Sequence, residues 1–159
     1  MSRRAGLTDL DVLFAIQKES AVAGFANVFP QELYPFPEDD VRETLRAQLE
    51  DTTTVALLDD GLRGFAVAGG GWLHRLYVLP SAWGAGVGAA LHDGALVALR
   101  GEGAATASLW CLAGNDRARA FYERRGWRLN GTERTVPFPP YPLDVGYSRG
   151  LAGVTESRP

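Results

Sequence analysis

The pattern of apolar and polar residues predicts a strand, a sharp turn and a long helix in the middle of the chain. Side chains alternate between Leu73 and Leu79 as in a β-strand, and Pro80 ends this run because proline cannot donate to a sheet ladder. A segment rich in Ala, Leu and Val then favours a helix that reaches Arg100. Glycines stand at every second position of the turn: Gly84, Gly86 and Gly88. Amides that converge at such a helix start can bind an anion such as phosphate, although glycines also shape turns for steric reasons alone.

Two helical patterns separated by an aromatic segment precede the strands. Apolar residues fall at helical spacing after Thr8, which can cap a helix over residues 8–20. A second helix is predicted over residues 38–50. The connection over residues 23–37 is rich in aromatic residues and proline, so we predict a loop. Its aromatic side chains either pack on the core or line a pocket.

Short strand patterns lie on either side of the central unit. Residues 54–58 and 62–68 predict a hairpin around Asp59-Asp60-Gly61, because an Asp-Gly pair tolerates the positive φ of tight hairpin turns. Together with residues 73–79, the hairpin forms a three-stranded meander. The N-terminal MSRRAG offers little room for a further strand.

The C-terminal part of the chain is predicted to add a strand, a helix and two closing strands. Residues 105–112 have a β pattern, Asn115 can cap the helix that follows, and Gly126 can end it. The closing strands are predicted over residues 127–136 and 143–151. The whole pattern therefore combines helices with strands, and the first three strands form a meander.

Length and composition indicate one ordinary globular domain. We expect a single core over residues 1–151 of the 159, with a frayed tail over residues 152–159. The hydrophobic content of 46% and the net charge of −3 argue against a nucleic-acid surface and against contact with an anionic membrane. The first residues have no apolar core of signal-peptide type and the chain has no long apolar run, so we expect a cytoplasmic protein.

The few cysteine and histidine residues restrict the chemistry. Cys111 is the only cysteine, which excludes an internal disulfide and a thiolate metal cluster. Its place in an apolar run favours a packing role over that of a nucleophile. His74 and His92 are the only histidines, so we expect no metal site.

Two motifs together point to one family. The glycine-rich turn reads Trp83-Gly84-Ala85-Gly86-Val87-Gly88. The second motif follows the strand at 105–112 and consists of Asn115, Ala118, Phe121, Tyr122, Glu123, Gly126 and Trp127. In this order and at this separation, the pair resembles the motifs of the GNAT superfamily of acetyl-coenzyme-A-dependent N-acetyltransferases. The resemblance covers nearly the whole chain, and Trp83 departs from it because the family usually has Arg or Gln there.

The resemblance implies a mixed α/β fold, with a mostly antiparallel sheet and about four helices. It also implies how acetyl-CoA would bind. The strands at 73–79 and 105–112 would splay apart, and the pantetheine arm of the cofactor would enter the gap and hydrogen-bond Asn115. The arm would also pair with the backbone of three residues: Leu76, Tyr77 and Val78. Backbone amides would hold the pyrophosphate at six residues: Gly84, Ala85, Gly86, Val87, Gly88 and Ala89. Trp83 would either pack against the cofactor or cover the turn.

The resemblance also implies catalytic roles. Tyr122 would be the general acid, because a phenol with a pKa near about 10 suits a thiolate leaving group. A backbone N–H near Val78 would polarise the thioester carbonyl. Some members carry a glutamate base at positions that are Trp72 and Trp110 here, which leaves His74 as the nearest titratable candidate. A chain of water molecules that carries the proton to solvent is the alternative.

In the family, the acceptor lies between the connection of the first two helices and the loop between the last two strands. These segments are residues 25–36 and 136–143 here, and Glu32 is their one charged residue. We therefore predict a small, partly apolar amine as acceptor, unless the aromatic residues of these loops merely pack onto the sheet. Three side chains are predicted among the pocket walls: Tyr34, Phe138 and Tyr141. The family often forms dimers, which leaves a homodimer open.

Two other functions fit parts of this pattern. An NAD-type dinucleotide-binding domain also carries closely spaced glycines, but there the turn follows the first strand and an acidic residue ends the next strand, which this chain lacks. A coenzyme-A-binding sensor without catalysis would account for Trp72 and Trp110 at the base positions. Tyr122 argues against a sensor.

Overall fold

A computed structural model describes residues 1–154 and arranges them around one seven-stranded sheet. The strands are β1 (Ser2–Arg4), β2 (Thr54–Asp59), β3 (Gly64–Gly69), β4 (Trp72–Val78), β5 (Thr106–Leu112), β6 (Arg128–Thr135) and β7 (Leu143–Gly150). Their order across the sheet is β1-β2-β3-β4-β5-β7-β6, and only β4 and β5 are parallel neighbours. The α-helices of the described residues are α1 (Leu10–Gly24), α2 (Glu38–Glu50), α3 (Val87–Gly101) and α4 (Asp116–Arg124). The predicted mixed α/β fold with a mostly antiparallel sheet is confirmed.

The sheet carries a hydrophobic core on each face, because alternate side chains of a strand point to opposite sides. On one face, α1 and α2 contact β2, β3 and β4 and bury Leu13, Leu45 and Phe65. We call this the α1–α2 face. On the opposite face, which we call the α3 face, α3 packs over a core that includes Leu109 and Tyr147. All six residues of β3 are buried, because this strand lies under helices on both faces.

The parallel strands β4 and β5 separate soon after they meet. Their register pairs Trp72 with Ser108, and the Ser108 N–H donates to the carbonyl of Gly71 at 2.9 Å. The other edge of β4 pairs with β3 and contains a β-bulge. Val67 lies opposite Arg75, and the next residue of β3, Ala68, lies opposite Leu73. His74 is therefore an extra residue of β4 that has no partner on β3. The predicted splay between the two strands is therefore confirmed.

The N-terminal segment differs from the prediction. Ser2 to Arg4 form the strand β1 beside β2, so the expectation that MSRRAG leaves little room for a strand is wrong. Thr8 does not cap the first helix either. It lies in a 3-10 turn, Leu7–Asp9, before α1 begins. Asp9 organises this entrance, because its carboxylate accepts from the Gly6 N–H at 2.9 Å and from Arg3 at 2.8 Å.

The β2–β3 hairpin also departs from the prediction in detail. The residue with positive φ is Leu62, at 58°, and not Gly61 as the Asp-Gly signal predicted. The Asp59 carboxylate holds this turn, since it accepts from the Gly61 N–H at 3.1 Å and from Nε of Arg63 at 2.7 Å. The strand β3 consequently begins at Gly64 rather than at Leu62.

The C-terminal end of α4 is closed by glycine and fixes a tryptophan in the core. Gly126 has a φ of 87°, as its predicted place after the helix requires. The Gly126 N–H donates to the Glu123 carbonyl at 3.3 Å, and the Trp127 N–H donates to the Tyr122 carbonyl at 3.1 Å. This pair of bonds is the Schellman motif, and it directs the Trp127 side chain, which is 1% exposed, beneath α3.

The C-terminal residues that follow β7 begin with a turn. The Val154 N–H donates to the Leu151 carbonyl, and the Arg100 guanidinium bonds to the Val154 carbonyl. Residues 155–159, which belong to the predicted frayed tail, lie outside the described residues.

His92 and Trp127 link α3 to the end of α4. The indole Nε1–H of Trp127 donates to Nε2 of His92 at 2.9 Å, while Nδ1 of His92 lies 2.9 Å from the Asp93 carboxylate. His92 is therefore neutral, with its proton on Nδ1. Burial lowers the pKa of His92, although Asp93 opposes this shift.

We expect His92 to make the fold sensitive to acid. Its pKa is lowered in the folded state, so below about pH 6.5 the unfolded chain takes up a proton that the folded chain resists, and stability falls as the pH decreases. His92→Gln keeps an acceptor for Trp127 but removes the titration. The Tm of the unaltered protein should therefore fall more steeply than that of the variant between about pH 7 and about pH 5. Parallel curves, measured by thermal unfolding in matched buffers, would contradict this role.

Candidate functional site

The gap between β4 and β5 exposes one edge of β4. Leu76, Tyr77 and Val78 pair with β3 on the opposite edge, and no strand of the described residues pairs with them on the side of β5. The backbone groups on this side can hydrogen-bond a ligand that carries amides, in the way that an added strand would bond to a sheet edge. The three residues that the family resemblance assigns to the pantetheine arm therefore lie along the gap.

The glycine-rich turn lies at the end of β4, at the start of α3. Gly84 and Gly86 have φ angles of 82° and 84°, and a Cβ atom at either residue would meet no atom within 4 Å. The amides of the first three helical residues, Val87, Gly88 and Ala89, have no carbonyl one turn earlier to bond. An open backbone beside these amides and the positive end of a 15-residue helix fits a phosphate group.

Ala85 and Gly88 differ from the other residues of the turn, because the Ala85 amide is not free and the space at Gly88 is not open. The Ala85 N–H already donates to the Ala82 carbonyl at 3.2 Å, so this amide is engaged within the turn. A Cβ at Gly88 would lie 3.5 Å from Val78 and 3.6 Å from Phe121, which is ordinary contact, so α3 lies close to both walls of the gap at this residue.

Trp83 folds back over the end of β4. Its indole Nε1–H donates to the Val78 carbonyl at 2.8 Å, and the Arg117 guanidinium lies 3.6 Å from the centroid of its ring. Arg117 belongs to α4, which follows β5, so this contact spans the mouth of the gap. The Trp83 side chain thus lies between the end of β4 and α4, beside the glycine-rich turn.

Tyr122 projects from α4 into the core beside the gap. Its ring contacts those of Phe121 and Trp127, with centroids 5.3 and 5.9 Å away. Within residues 1–154 its hydroxyl has no hydrogen-bond partner, and no side-chain polar atom there is both fully buried and unpartnered. The hydroxyl is therefore not fully enclosed by protein atoms. Burial raises the pKa of Tyr122, and nearby Cys111 and Tyr77 raise it further, so the phenol keeps its proton at neutral pH.

Asn115 and Cys111 take the places predicted for them. The Asn115 side-chain oxygen accepts from the Ala118 N–H at 3.2 Å, which confirms that it caps α4 and leaves its amide nitrogen free to donate. Cys111 is buried on β5, and burial raises the pKa of its thiol to about 12. A thiol with this pKa is protonated at neutral pH and is a poor nucleophile.

The two tryptophans at the base positions contact each other, whereas His74 bonds to the backbone. Trp72 and Trp110 stack on each other across the root of the gap, with ring centroids 5.9 Å apart. His74 donates from Nε2 to the Gly69 carbonyl at 3.1 Å, and this leaves Nδ1 with its lone pair when the ring is neutral. Burial lowers the pKa of His74, and the hydrogen bond to the Gly69 carbonyl partly offsets this shift.

The two aromatic loops do not contact each other through hydrogen bonds or stacked rings within the described residues. The first loop reaches the segment before α4, where Asn27 donates to the Gly114 carbonyl at 3.4 Å, and Phe36 packs on Phe14 of α1. Tyr34 and Phe138 are partly exposed, one in each loop. Tyr141 is 60% exposed with a φ of 59°, and its N–H donates to the Phe138 carbonyl at 2.7 Å.

A buried carboxylate on the α1–α2 face was not predicted from the sequence. Asp144 of β7 is buried and accepts from Nε of Arg134 on β6 at 2.9 Å. The Arg134 guanidinium also lies over the Trp110 ring, 4.7 Å from its centroid. The available signal was the alternation of β7, which places Asp144 on the face opposite to Val145 and Tyr147.

A shallow apolar groove of about 530 Å³ lies elsewhere, along α1 from Phe14 to Ala23 and against Pro80. It is separate from the space between β4 and β5. Of the described helices, none has the length and apolar character needed to cross a membrane. Residues 1–154 also contain no group of three or more His, Cys, Asp or Glu side chains that could hold a metal ion.

Three solved structures that share this fold are N-acetyltransferases. A GCN5-related N-acetyltransferase from Rhodopseudomonas palustris superposes with a TM-score of 0.77 at 22% identity, over 94% of each chain. The PaiA N-acetyltransferase from Thermoplasma acidophilum, in complex with coenzyme A, gives 0.72 at 18% identity over 94% of this chain and 98% of its own. A ribosomal-protein-alanine N-acetyltransferase from Brucella melitensis gives 0.71 at 18% identity over 94% and 99%.

Comparison with curated protein sequences finds no match. The model of the GNAT acetyltransferase family, in contrast, matches residues 9–127, which include both motifs, the diverging strands and α4. Because this match covers most of the chain, the protein belongs to the GNAT family of acetyltransferases.

Proposed function

We propose that this protein moves an acetyl group from acetyl-CoA to the primary amine of a small, partly apolar acceptor. The observation that carries the proposal is the placement of three features around one gap: the free edge of β4, the glycine-rich turn at the start of α3, and Tyr122. These features match the three parts of the cofactor, which are an arm with amides, a pyrophosphate and a thioester sulfur.

In this proposal, the cofactor is held mainly by backbone groups. The edge of β4 pairs with the pantetheine arm, and the free amide nitrogen of Asn115 donates to it. The start of α3 binds the pyrophosphate. Because the indole of Trp83 occupies the Val78 carbonyl, an arm that bonds there takes the place of the indole N–H.

When bound, acetyl-CoA supplies the acetyl group as a thioester. The amine forms the new C–N bond and the C–S bond breaks, while a backbone N–H near Val78 stabilises the charge on the carbonyl oxygen. The phenol of Tyr122 gives its proton to the departing sulfur, which agrees with a pKa that keeps it protonated. Nδ1 of His74 takes the proton of the amine, or water carries that proton to solvent.

The acceptor pocket is proposed to lie between the two aromatic loops, with Tyr34, Phe138 and Tyr141 as walls. The loops carry little charge, and their prolines reduce the entropy lost when they order. The related enzyme from Brucella melitensis is named for a ribosomal-protein alanine, so the fold alone does not select the acceptor.

A coenzyme-A sensor of the same fold is the second candidate, and the Trp72–Trp110 stack favours it, because neither base position can accept a proton. Acetyl-CoA-dependent thiol release, measured with a panel of amines, separates the two functions. Release with at least one amine supports the transferase, whereas tight binding of acetyl-CoA without release on any amine supports the sensor.

Replacing Gly86 tests the phosphate site. Gly86→Glu places a carboxylate beside the phosphates, and we expect acetyl-CoA to bind about a hundredfold more weakly by calorimetry. Gly103→Glu is the matched control, because Gly103 also has a positive φ of 95° and open space around it but lies at the far end of α3. Equal affinity of the two variants would place the phosphates elsewhere.

Removing the Tyr122 hydroxyl tests the general acid. Tyr122→Phe should lower kcat by about 10²–10⁴-fold and leave acetyl-CoA affinity nearly unchanged, because the hydroxyl acts only in the transition state. Tyr77→Phe removes a hydroxyl from the neighbouring tyrosine of the gap and should change kcat little. If single-turnover rates respond to Tyr77 and not to Tyr122, the roles must be exchanged.

Alanine substitutions test the acceptor pocket. Tyr34→Ala and Tyr141→Ala should each raise the acceptor KM about fivefold, as expected for the loss of one aromatic contact, with acetyl-CoA affinity unchanged. Phe36→Ala is the control in the first loop, because Phe36 packs on Phe14 and its loss should lower Tm instead. A lowered Tm with an unchanged KM for either tyrosine variant would make that tyrosine structural.

A further inference from the structure

Asp144, Arg134 and Trp110 form a cluster that the cofactor cleft does not use. Asp144 of β7 lies opposite Arg134 of β6 and opposite Leu112 of β5, and residues that lie opposite each other point to the same face. Trp110 is two residues before Leu112, so its side chain points to this α1–α2 face as well. The Arg134 guanidinium lies between a carboxylate and an indole face, at 2.9 Å from Oδ2 and 4.7 Å from the ring centroid. This arrangement already holds a cation.

The carboxylate of Asp144 can accept a further hydrogen bond. Its side chain is 9% exposed, and Oδ1 has no partner among the described residues. No polar side-chain atom of those residues is fully buried without a partner, so Oδ1 opens onto accessible space. Burial raises the pKa of Asp144, although Arg134 opposes this shift. The half-exposed Arg134 guanidinium thus compensates the negative charge of the Asp144 carboxylate only in part.

The cluster lies beside the proposed reaction centre. Cys111 of β5 lies opposite Val145, the residue that follows Asp144 on β7. Burial is the main cause of the raised pKa of Cys111, and the charge of Asp144 adds to it. Trp110 belongs to the tryptophan stack at the root of the gap between β4 and β5. Asp144 and Trp110 therefore lie at the root of this gap, on the α1–α2 face.

We propose that Asp144 and Trp110 form the subsite for the amino group of the acceptor, and that Arg134 occupies this subsite as an internal cation until an amine binds. The inference rests on the proposed transferase function and defines its acceptor as a compact primary amine that arrives as an ammonium ion. The ammonium loses one proton to solvent before the neutral amine attacks the thioester. The carboxylate accepts hydrogen bonds from the ammonium, and the indole face attracts its charge.

Binding of three probes with the same ring tests the subsite without catalysis. Benzylamine, benzyl alcohol and benzoate are titrated into the full chain by calorimetry, with tryptophan fluorescence as a second readout. The unaltered protein should bind benzylamine most tightly. Asp144→Asn should weaken benzylamine about tenfold or more, because a charged hydrogen bond is lost, and should leave benzyl alcohol unchanged.

Two further variants sharpen this test. Arg134→Gln removes the competing cation and should tighten benzylamine binding, and it provides an independent measurement if Asp144→Asn does not fold. Asp59→Asn is the matched control, because Asp59 is also a buried carboxylate, and Nε of a half-exposed arginine, Arg63, donates to it at 2.7 Å in a distant hairpin. This variant should bind all three probes as the unaltered protein does.

Several results would overturn the proposal: unchanged benzylamine affinity in Asp144→Asn, weaker affinity in Arg134→Gln, a preference of the unaltered protein for benzoate, or no benzylamine binding at millimolar concentration. Failure of the proposed function gives a different result. A chain that binds benzylamine through Asp144 but releases no coenzyme A with any amine keeps this subsite and loses the transferase activity.

Discussion

The early separation of β4 from β5 is the constraint on which the rest of the site depends. Parallel strands normally bond evenly along their length, but here the pairing is confined to the region of Trp72 and Ser108. The extra residue at His74 changes the register of β4 at this point. The following edge of β4 then faces a gap, and its backbone groups are available to a ligand because no neighbouring strand uses them.

The two walls of this gap are joined to each other on the α3 face. Gly88 of α3 lies against Phe121 of α4, and His92 accepts from Trp127, which the Schellman motif places in the core. Tyr122 therefore stands on a short helix that is fixed at its start by Asn115 and at its end by Gly126. Because these contacts are buried, the position of Tyr122 relative to the glycine-rich turn follows from the packing of the core.

The parts of the fold that the sequence predicted depend on local signals. The glycine turn, the Asn115 cap and the glycine after α4 each follow from the conformation of a few consecutive residues. The strand β1 was missed because three residues are too few to show alternation, and Leu62 took the positive φ because the Asp59 carboxylate holds the turn. Likewise, no local pattern could show that Asp144 meets Arg134 or that Trp83 bonds to the end of β4, since both contacts depend on how distant segments pack. The motifs of the resemblance lie in consecutive residues, whereas the cluster of Asp144, Arg134 and Trp110 forms only when three strands come together.

Both edge strands of the sheet are poorly suited to pair with a strand of another molecule. The first edge, β1, is three residues long and carries Arg3 and Arg4. The other edge, β6, has an irregular register between Leu129 and Glu133, where Asn130 and Thr132 arch over Gly146. Short, charged or irregular edges resist the addition of a strand from another molecule, which is a common route to aggregation. Edge-to-edge pairing of copies of this chain into extended sheets is therefore unfavourable.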